Sequence, residues 1–138
     1  VNPLLINDLT IQPHLKLVLV GGCGGIGRAL ALEAVRQKMD VTILDLPESI
    51  ERHRVEGVAH FPLDAKDPDS VERAMTQAAQ LLGGIDACVN LVGFMAEPQS
   101  LASTSLETWQ DVIHGNLDAA FYISRSVLPL LHRSDRAS

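Results

Sequence analysis

The segment Gly21-Gly22-Cys23-Gly24-Gly25-Ile26-Gly27 holds half of the chain's ten glycines. It follows the apolar run Leu15-Lys16-Leu17-Val18-Leu19-Val20 and opens an apolar-periodic stretch from Arg28 to Met39. A buried strand, a glycine turn and a helix in that order form an element suited to a dinucleotide. Glycine permits the tight turn and lets backbone approach a pyrophosphate that a side chain would hold off. The helix that follows aims unpaired N–H groups and the positive end of its dipole at the phosphates. Asp45, 18 residues after Gly27, ends the next apolar run and could accept hydrogen bonds from adenosine ribose hydroxyls. Its charge would repel a 2′-phosphate and no arginine follows it directly, which favours NAD over NADP. A turn or helix-capping aspartate is the alternative there.

The elements that must position these groups alternate. Strands are expected at Leu15–Val20, Asp40–Leu46, 57–62 and Asp86–Leu91, with helices at Gly25–Lys38 and from Pro47 to about His53. In the first helix Leu30, Ala31, Ala34 and Val35 should face the sheet. Asp67-Pro68 offers a capping side chain and a proline at the first helical position. Val71, Ala74, Met75, Ala78, Leu81 and Leu82 would give that helix its buried stripe, stopping at Gly83-Gly84. After a loop to about Ser103, Thr104-x-x-Glu107 resembles a capping box, with Ser105 as the alternative cap. Trp109, Val112, Ile113, Leu117, Ala120, Phe121 and Val127 would form the last helix's apolar face, and Pro129 should kink or end it. The pattern predicts an α/β, Rossmann-type doubly wound parallel sheet of strand order 3-2-1-4, stopping before a fifth strand. An N-terminal arm (1–14) and a polar tail (132–138) would flank one dinucleotide-binding domain (15–131).

The glycines satisfy three fingerprints at once: Gly22-x-Gly24-x-x-Gly27, Gly21-x-x-Gly24-x-x-Gly27 and Gly21-x-x-x-Gly25-x-Gly27. Residues downstream select the third. Leu63-Asp64-Ala65, Asn90 and Gly93 within Cys88-Val89-Asn90-Leu91-Val92-Gly93, and Glu107-x-Trp109 followed by Asn116-Leu117 resemble the classical short-chain dehydrogenase/reductase family. The resemblance runs from Leu15 to Leu131. It implies cofactor contacts at Gly21, Gly25, Ile26, Gly27, Asp45, Asp64, Ala65, Asn90 and Gly93. Asn116 matches the asparagine of the family's catalytic tetrad, which helps hold a water in the proton relay; a mid-helix polar residue is its plainer reading. Leu91 and Val92 depart from the family's Asn-Asn-Ala-Gly motif, and Val20 replaces its usual threonine. Extended relatives such as sugar-nucleotide epimerases fit the Asn90, Gly93 and Asn116 matches less well.

The family's tyrosine acid/base needs a lysine four residues on to lower a phenol pKa near ~10. Here the single tyrosine, Tyr122, is followed four residues later by Ser126, and lysine occurs only at positions 16, 38 and 66. The resemblance therefore implies the NAD-binding portion of an oxidoreductase that moves a hydride to or from a small alcohol or ketone, inactive by itself. A naturally short product is the less favoured origin. The alternative function is a non-catalytic nucleotide-binding or regulatory module.

A net charge of −6 argues against nucleic acid and anionic membrane surfaces as partners. Apolar runs fall far short of the ~20 residues that span a bilayer. Val1–Pro13 lacks the pattern of a signal peptide, and two cysteines cannot frame a disulfide scaffold, so a reduced, cytoplasmic setting is expected. The five histidines show no metal-ligand spacing, and no metal is expected. A fourth strand without lysine or proline to guard its edge, beside an apolar last helix, predicts a homo-oligomer.

Overall fold

A computed structural model describes residues 12–135. Most of the expected N-terminal arm and the last three residues of the tail lie outside that range. Four parallel strands stand in the order β3-β2-β1-β4: β1 (Lys16–Val20), β2 (Asp40–Asp45), β3 (Ala59–Pro62) and β4 (Ala87–Asn90). The expected sheet and its order are thus observed. β1 is flanked on both sides, Val18 pairing with Thr42 of β2 and Cys88 of β4. That is why its sequence is an almost unbroken apolar run rather than an alternating one.

Successive side chains of β1 enter opposite layers. Leu17 and Leu19 pack with Ala31 and Ala34 of helix α1 (Gly25–Arg36), and with Ile43, Val55 and Val58. Ile50 of helix α2 (Pro47–His53) packs against the same layer. Val18 and Val20 enter the other layer with Val71, Ala74, Met75 and Ala78 of α3 (Pro68–Leu82). The last helix begins as α4 (Leu106–Ile113), widens into a π-helical turn at His114–Asp118 and continues as α5 (Ala119–Leu131). Its Ala119, Ile123 and Val127 complete that second layer.

The caps follow the sequence. Asp67 accepts a hydrogen bond from the Asp69 N–H at 3.0 Å with Pro68 in the first turn, and Gly83 stops α3 in the left-handed region. At α4 the cap is Ser105, whose hydroxyl accepts from the Thr108 N–H at 3.0 Å, while the Thr104 hydroxyl donates to the Ser100 carbonyl. Other expectations shift. α1 ends at Arg36 because Lys38 turns left-handed, with φ 61°. Val35 and Leu81 sit at the edges of their buried arcs and are exposed, whereas Leu82 packs on the core.

The last helix departs furthest from expectation. Its buried stripe is Gly115, Ala119, Ile123 and Val127, while Trp109, Leu117 and Phe121 face outward. The wide turn at His114–Asp118 changes the phase of the helix, so of the apolar face expected here Val127 is buried and Val112, Ile113 and Ala120 are half-buried. The helix also passes Pro129 and stops two residues later.

One polar atom in the core lacks a partner. The Thr42 hydroxyl, in a fully buried residue in the middle of β2, has no hydrogen bond among the described residues. Thr42→Val keeps the shape and removes that desolvation cost, so it should raise stability by about 1 kcal/mol. An upward shift of the urea midpoint is expected; a lower midpoint would show that the hydroxyl has a partner.

Candidate nucleotide crevice

At the carboxyl ends of β1, β2 and β4 lies a crevice of about 520 Å³. Gly21, Asp45, Asp64, Ala65 and Gly93, all expected from the sequence, line it. The glycine turn forms its floor. Gly21 leaves β1 with φ 77°, and a Cβ there would sit 3.0 Å from the backbone of Leu91 and Val92, at the exit of β4. A Cβ on Gly27 would stand 2.6 Å from Gly22 backbone, so helix and turn can pack only without it. These two glycines are demanded by the fold itself.

Gly24 and Gly25 are different. Neither has a positive φ, a Cβ on Gly25 would meet nothing within 4 Å, and one on Gly24 only the Gly21 carbonyl at 3.9 Å. Nothing inside the protein requires glycine at these positions. Open space beside them is the room a close-approaching ligand needs. No side chain caps the N-terminus of α1, whose N-cap is Gly24, so its first-turn donors are not met by a capping group. Ile26, in that first turn, is 77% exposed and does not line the crevice.

Asp45 performs a task that the sequence did not reveal. One carboxylate oxygen accepts from the Cys23 N–H at 2.8 Å and the other from the Leu46 N–H at 2.8 Å. The glycine turn is thereby tied to the end of β2. Each oxygen keeps a lone pair that a ribose hydroxyl could use. Cys23, buried in the turn, has its thiol pushed up to about 11 by burial first and then by the Asp45 charge. Burial alone raises the Cys88 thiol to about 11. Both stay protonated near neutrality, as expected of inert packing residues.

Asp64 folds back on its own loop, accepting from the Lys66 N–H at 2.9 Å, and its own N–H donates to the Ser70 hydroxyl. Asn90 closes β4 by accepting from the Val92 N–H at 3.0 Å. Asn116 lies behind the crevice wall. Its amide grips the Phe94 backbone twice, donating to the carbonyl at 2.7 Å and accepting from the N–H at 3.1 Å, and donates again to the Val112 carbonyl. Its side chain thus fixes the loop after β4.

Sequence reasoning missed the rest of that wall. Phe94, Lys66 and Gly115 also line the crevice. Lys66 Nζ lies 4.6 Å from the centre of the Phe94 ring and 3.7 Å from an Asp111 carboxylate oxygen. His114 Nε2 is 2.9 Å from the Lys66 carbonyl, which can only accept, so the ring donates. A Cβ on Gly115 would come within 2.6 Å of Phe94. A glycine inside a helical pattern, costing about 1 kcal/mol relative to alanine, was the readable sign of such a close approach. A larger hollow of about 830 Å³ flanks β3 and α3, but it shares only Leu63 and Asp64 with the crevice and touches no part of the glycine turn.

A family profile described as short chain dehydrogenase matches residues 16–138. The chain belongs to the short-chain dehydrogenase family. The 3-oxoacyl-[acyl-carrier-protein] reductase of Buchnera aphidicola is 30% identical over 118 residues, covering 82% of this chain and 48% of that protein. The cyclohexanol dehydrogenase of an Acinetobacter species is 27% identical over 124 residues, covering 84% and 49%. The ligand-free structure of Thermoplasma acidophilum aldohexose dehydrogenase superposes with a TM-score of 0.75 at 29% identity, over 86% of this chain and 45% of that one. The chain spans about half the length, or less, of the curated relatives it matches. In this short-chain dehydrogenase chain, the turn, the sheet order and the crevice all fall within the matched region.

The two classes of glycine predict opposite outcomes. Gly27→Ala should lower stability by about 2 kcal/mol or more through overpacking against Gly22. Gly25→Ala should leave the unfolding midpoint within about 0.5 kcal/mol of the parent, since no contact is strained, yet weaken dinucleotide binding. Denaturation and calorimetry on both variants check this; equal loss of stability in both would remove the distinction.

Proposed function

We propose that this chain is the NAD-binding portion of a short-chain oxidoreductase whose substrate is a small alcohol or ketone. One dinucleotide-binding domain, 15–131, carries the function. The observation that supports it most is the open space beside Gly24 and Gly25, where ordinary backbone at a helix start leaves glycine without an internal reason. A bound nicotinamide would supply the hydride acceptor or donor. The chain's own residues would bind and orient. The first-turn N–H groups of α1 would meet the pyrophosphate, with Gly21 and Gly27 keeping turn and helix close and Ile26 offering apolar surface. Asp45 would accept from the adenosine ribose hydroxyls while holding the turn through Cys23. Asp64 and Ala65 would border the adenine, and Asn90 and Gly93 would shape the β4 side. Asn116 is a positioning residue, acting through Phe94.

The names of the reductase and the two dehydrogenases above suit an alcohol or ketone substrate. A binding or regulatory module without chemistry is the second reading. It is favoured by Tyr122, whose ring meets His114 and Phe121 edge-on and which has Ser126, not lysine, four residues on. On either reading the isolated chain binds without turnover. No helix among the described residues is long and apolar enough to cross a membrane, and none of their His, Cys, Asp and Glu side chains group as a metal site. The negative net charge disfavours nucleic acid, and two unpaired thiols suit a cytoplasmic setting.

A homo-oligomer also belongs to this reading. Leu117, Phe121 and Leu128 are exposed on the face of the last helix opposite its buried stripe. Exposed apolar side chains grouped on one helix face can drive association. Sedimentation at micromolar concentration should show a species heavier than 14.9 kDa that Phe121→Lys dissociates; a monomer at all concentrations would contradict it. For the cofactor, calorimetric titration should rank NAD and NADH ahead of NADP. Equal or tighter NADP binding would remove the role given to the Asp45 charge.

A further inference from the structure

The connection between α2 and β3 runs from Arg54 to Val58. Val55 and Val58 anchor it in the same buried layer as Leu17 and Leu19, and between them Gly57 turns left-handed with φ 76°. The connection's own backbone bond, from the Val58 N–H to the Val55 carbonyl, is long at 3.4 Å. The half-buried His60 ring of β3 supplies two more. Its Nδ1 lies 2.8 Å from the Val58 carbonyl, which can only accept, so Nδ1 carries the proton. Its Nε2 accepts from the Val55 N–H at 3.2 Å. The two bonds together need one neutral tautomer. A second proton, taken up at Nε2, would set two donors against each other and leave the Val55 N–H without its acceptor.

The surroundings oppose that second proton. Burial holds the ring below the ordinary histidine value, and the Arg54 guanidinium adds to this, while the Val58 carbonyl and the Asp45 carboxylate at the end of β2 work the other way. Glu51, Arg52, His53 and Glu56, the other titratable groups of this segment, are exposed to solvent. Crevice residues flank the connection in the chain on both sides. Leu46 and Ser49, at the start of α2, line the crevice, and β3 runs on into Leu63, Asp64 and Ala65, which line it too.

We propose that His60 is a pH-operated clasp that holds this wall of the crevice when neutral and lets it loosen when protonated; only the effect on binding rests on the cofactor reading above. An unfolded chain takes up the proton near about pH 6.5 and the folded chain only at lower pH. The clasp therefore contributes in full above about pH 6.5 and is lost as pH falls through the folded value.

Nitrogen-15 NMR of the imidazoles in the 138-residue chain, with His60 assigned through its backbone resonances, tests this directly. The Nδ1-protonated tautomer is expected, titrating below the ordinary histidine value. Urea midpoints of the parent and His60→Gln are then compared at pH 7.5 and pH 5.5. Acid should cost the parent more than the variant, because glutamine does not titrate and other acid effects are common to both. Calorimetry with NAD at the same two pH values should show affinity falling about threefold or more in the parent, and by less in the variant. An Nε2-protonated tautomer, a titration at or above the ordinary value, or equal acid sensitivity of parent and variant would overturn the clasp. If His60→Gln does not fold, the tautomer and titration of the parent still decide. NAD affinity that is the same at both pH values would overturn the effect on the crevice. Absence of NAD binding at either pH would overturn the cofactor reading, while the NMR and urea results still judge the clasp.

Discussion

The hydrogen bond from the Cys23 N–H to the Asp45 carboxylate joins the two parts of the chain on which everything else at the crevice rests. It crosses from the turn after β1 to the end of β2, and one carboxylate fixes where the helix begins and where a ribose could bind. Charge-assisted bonds to backbone N–H groups are roughly twice as strong as neutral ones. The turn draws little support from side chains of its own, since half of the chain's glycines lie in it, and beside the carboxylate bond the Gly21 N–H donates to the Leu44 carbonyl at 2.8 Å. Its packing against β2 through Gly22 and Ile43, and against itself at Gly27, has no tolerance for a methyl group. The turn therefore holds one shape, and the openness of Gly24 and Gly25 is part of that shape.

The same logic governs the opposite wall. The loop after β4 is held at Phe94 by Asn116 from a widened helical turn, and Gly115 gives the ring its place. A π-helical turn places one more residue in the turn than an α-helix, which alters the directions of the side chains on either side of it. Phe94 and Asp45 thus stand on opposite walls of one crevice, each set by backbone hydrogen bonds and not by side-chain packing alone.

Much of this could be read before folding. The β1–turn–α1 unit was legible because a buried central strand, a glycine cluster and a helical period occur in immediate succession. The Asp67-Pro68 start and Gly83 stop of α3 were legible because caps use particular residue types. What escaped depends on long-range geometry. Asp45 was visible as an acid at a strand end, but its bond to Cys23 joins residues 22 positions apart. Lys66 and Phe94 meet from loops after different strands, and no local pattern joins them. The last helix misled at Trp109, Leu117 and Phe121 because these are as apolar as the residues it buries. A period can be counted only when one face is polar. Asn116 was singled out as the match to a catalytic asparagine; its amide bonds the Phe94 backbone, a use that residue type and position do not disclose.

The open space over Gly24 and Gly25 is the proposed dinucleotide site. The most direct measurement is the change in backbone amide NMR shifts of the labelled chain as NAD is added. The largest changes should fall at Gly24, Gly25 and Ile26, then at Asp45, Ala65 and Gly93, with saturation common to all of them. Changes confined instead to the hollow beside β3 and α3, around Asp69, Arg73 and Gln77, would contradict it.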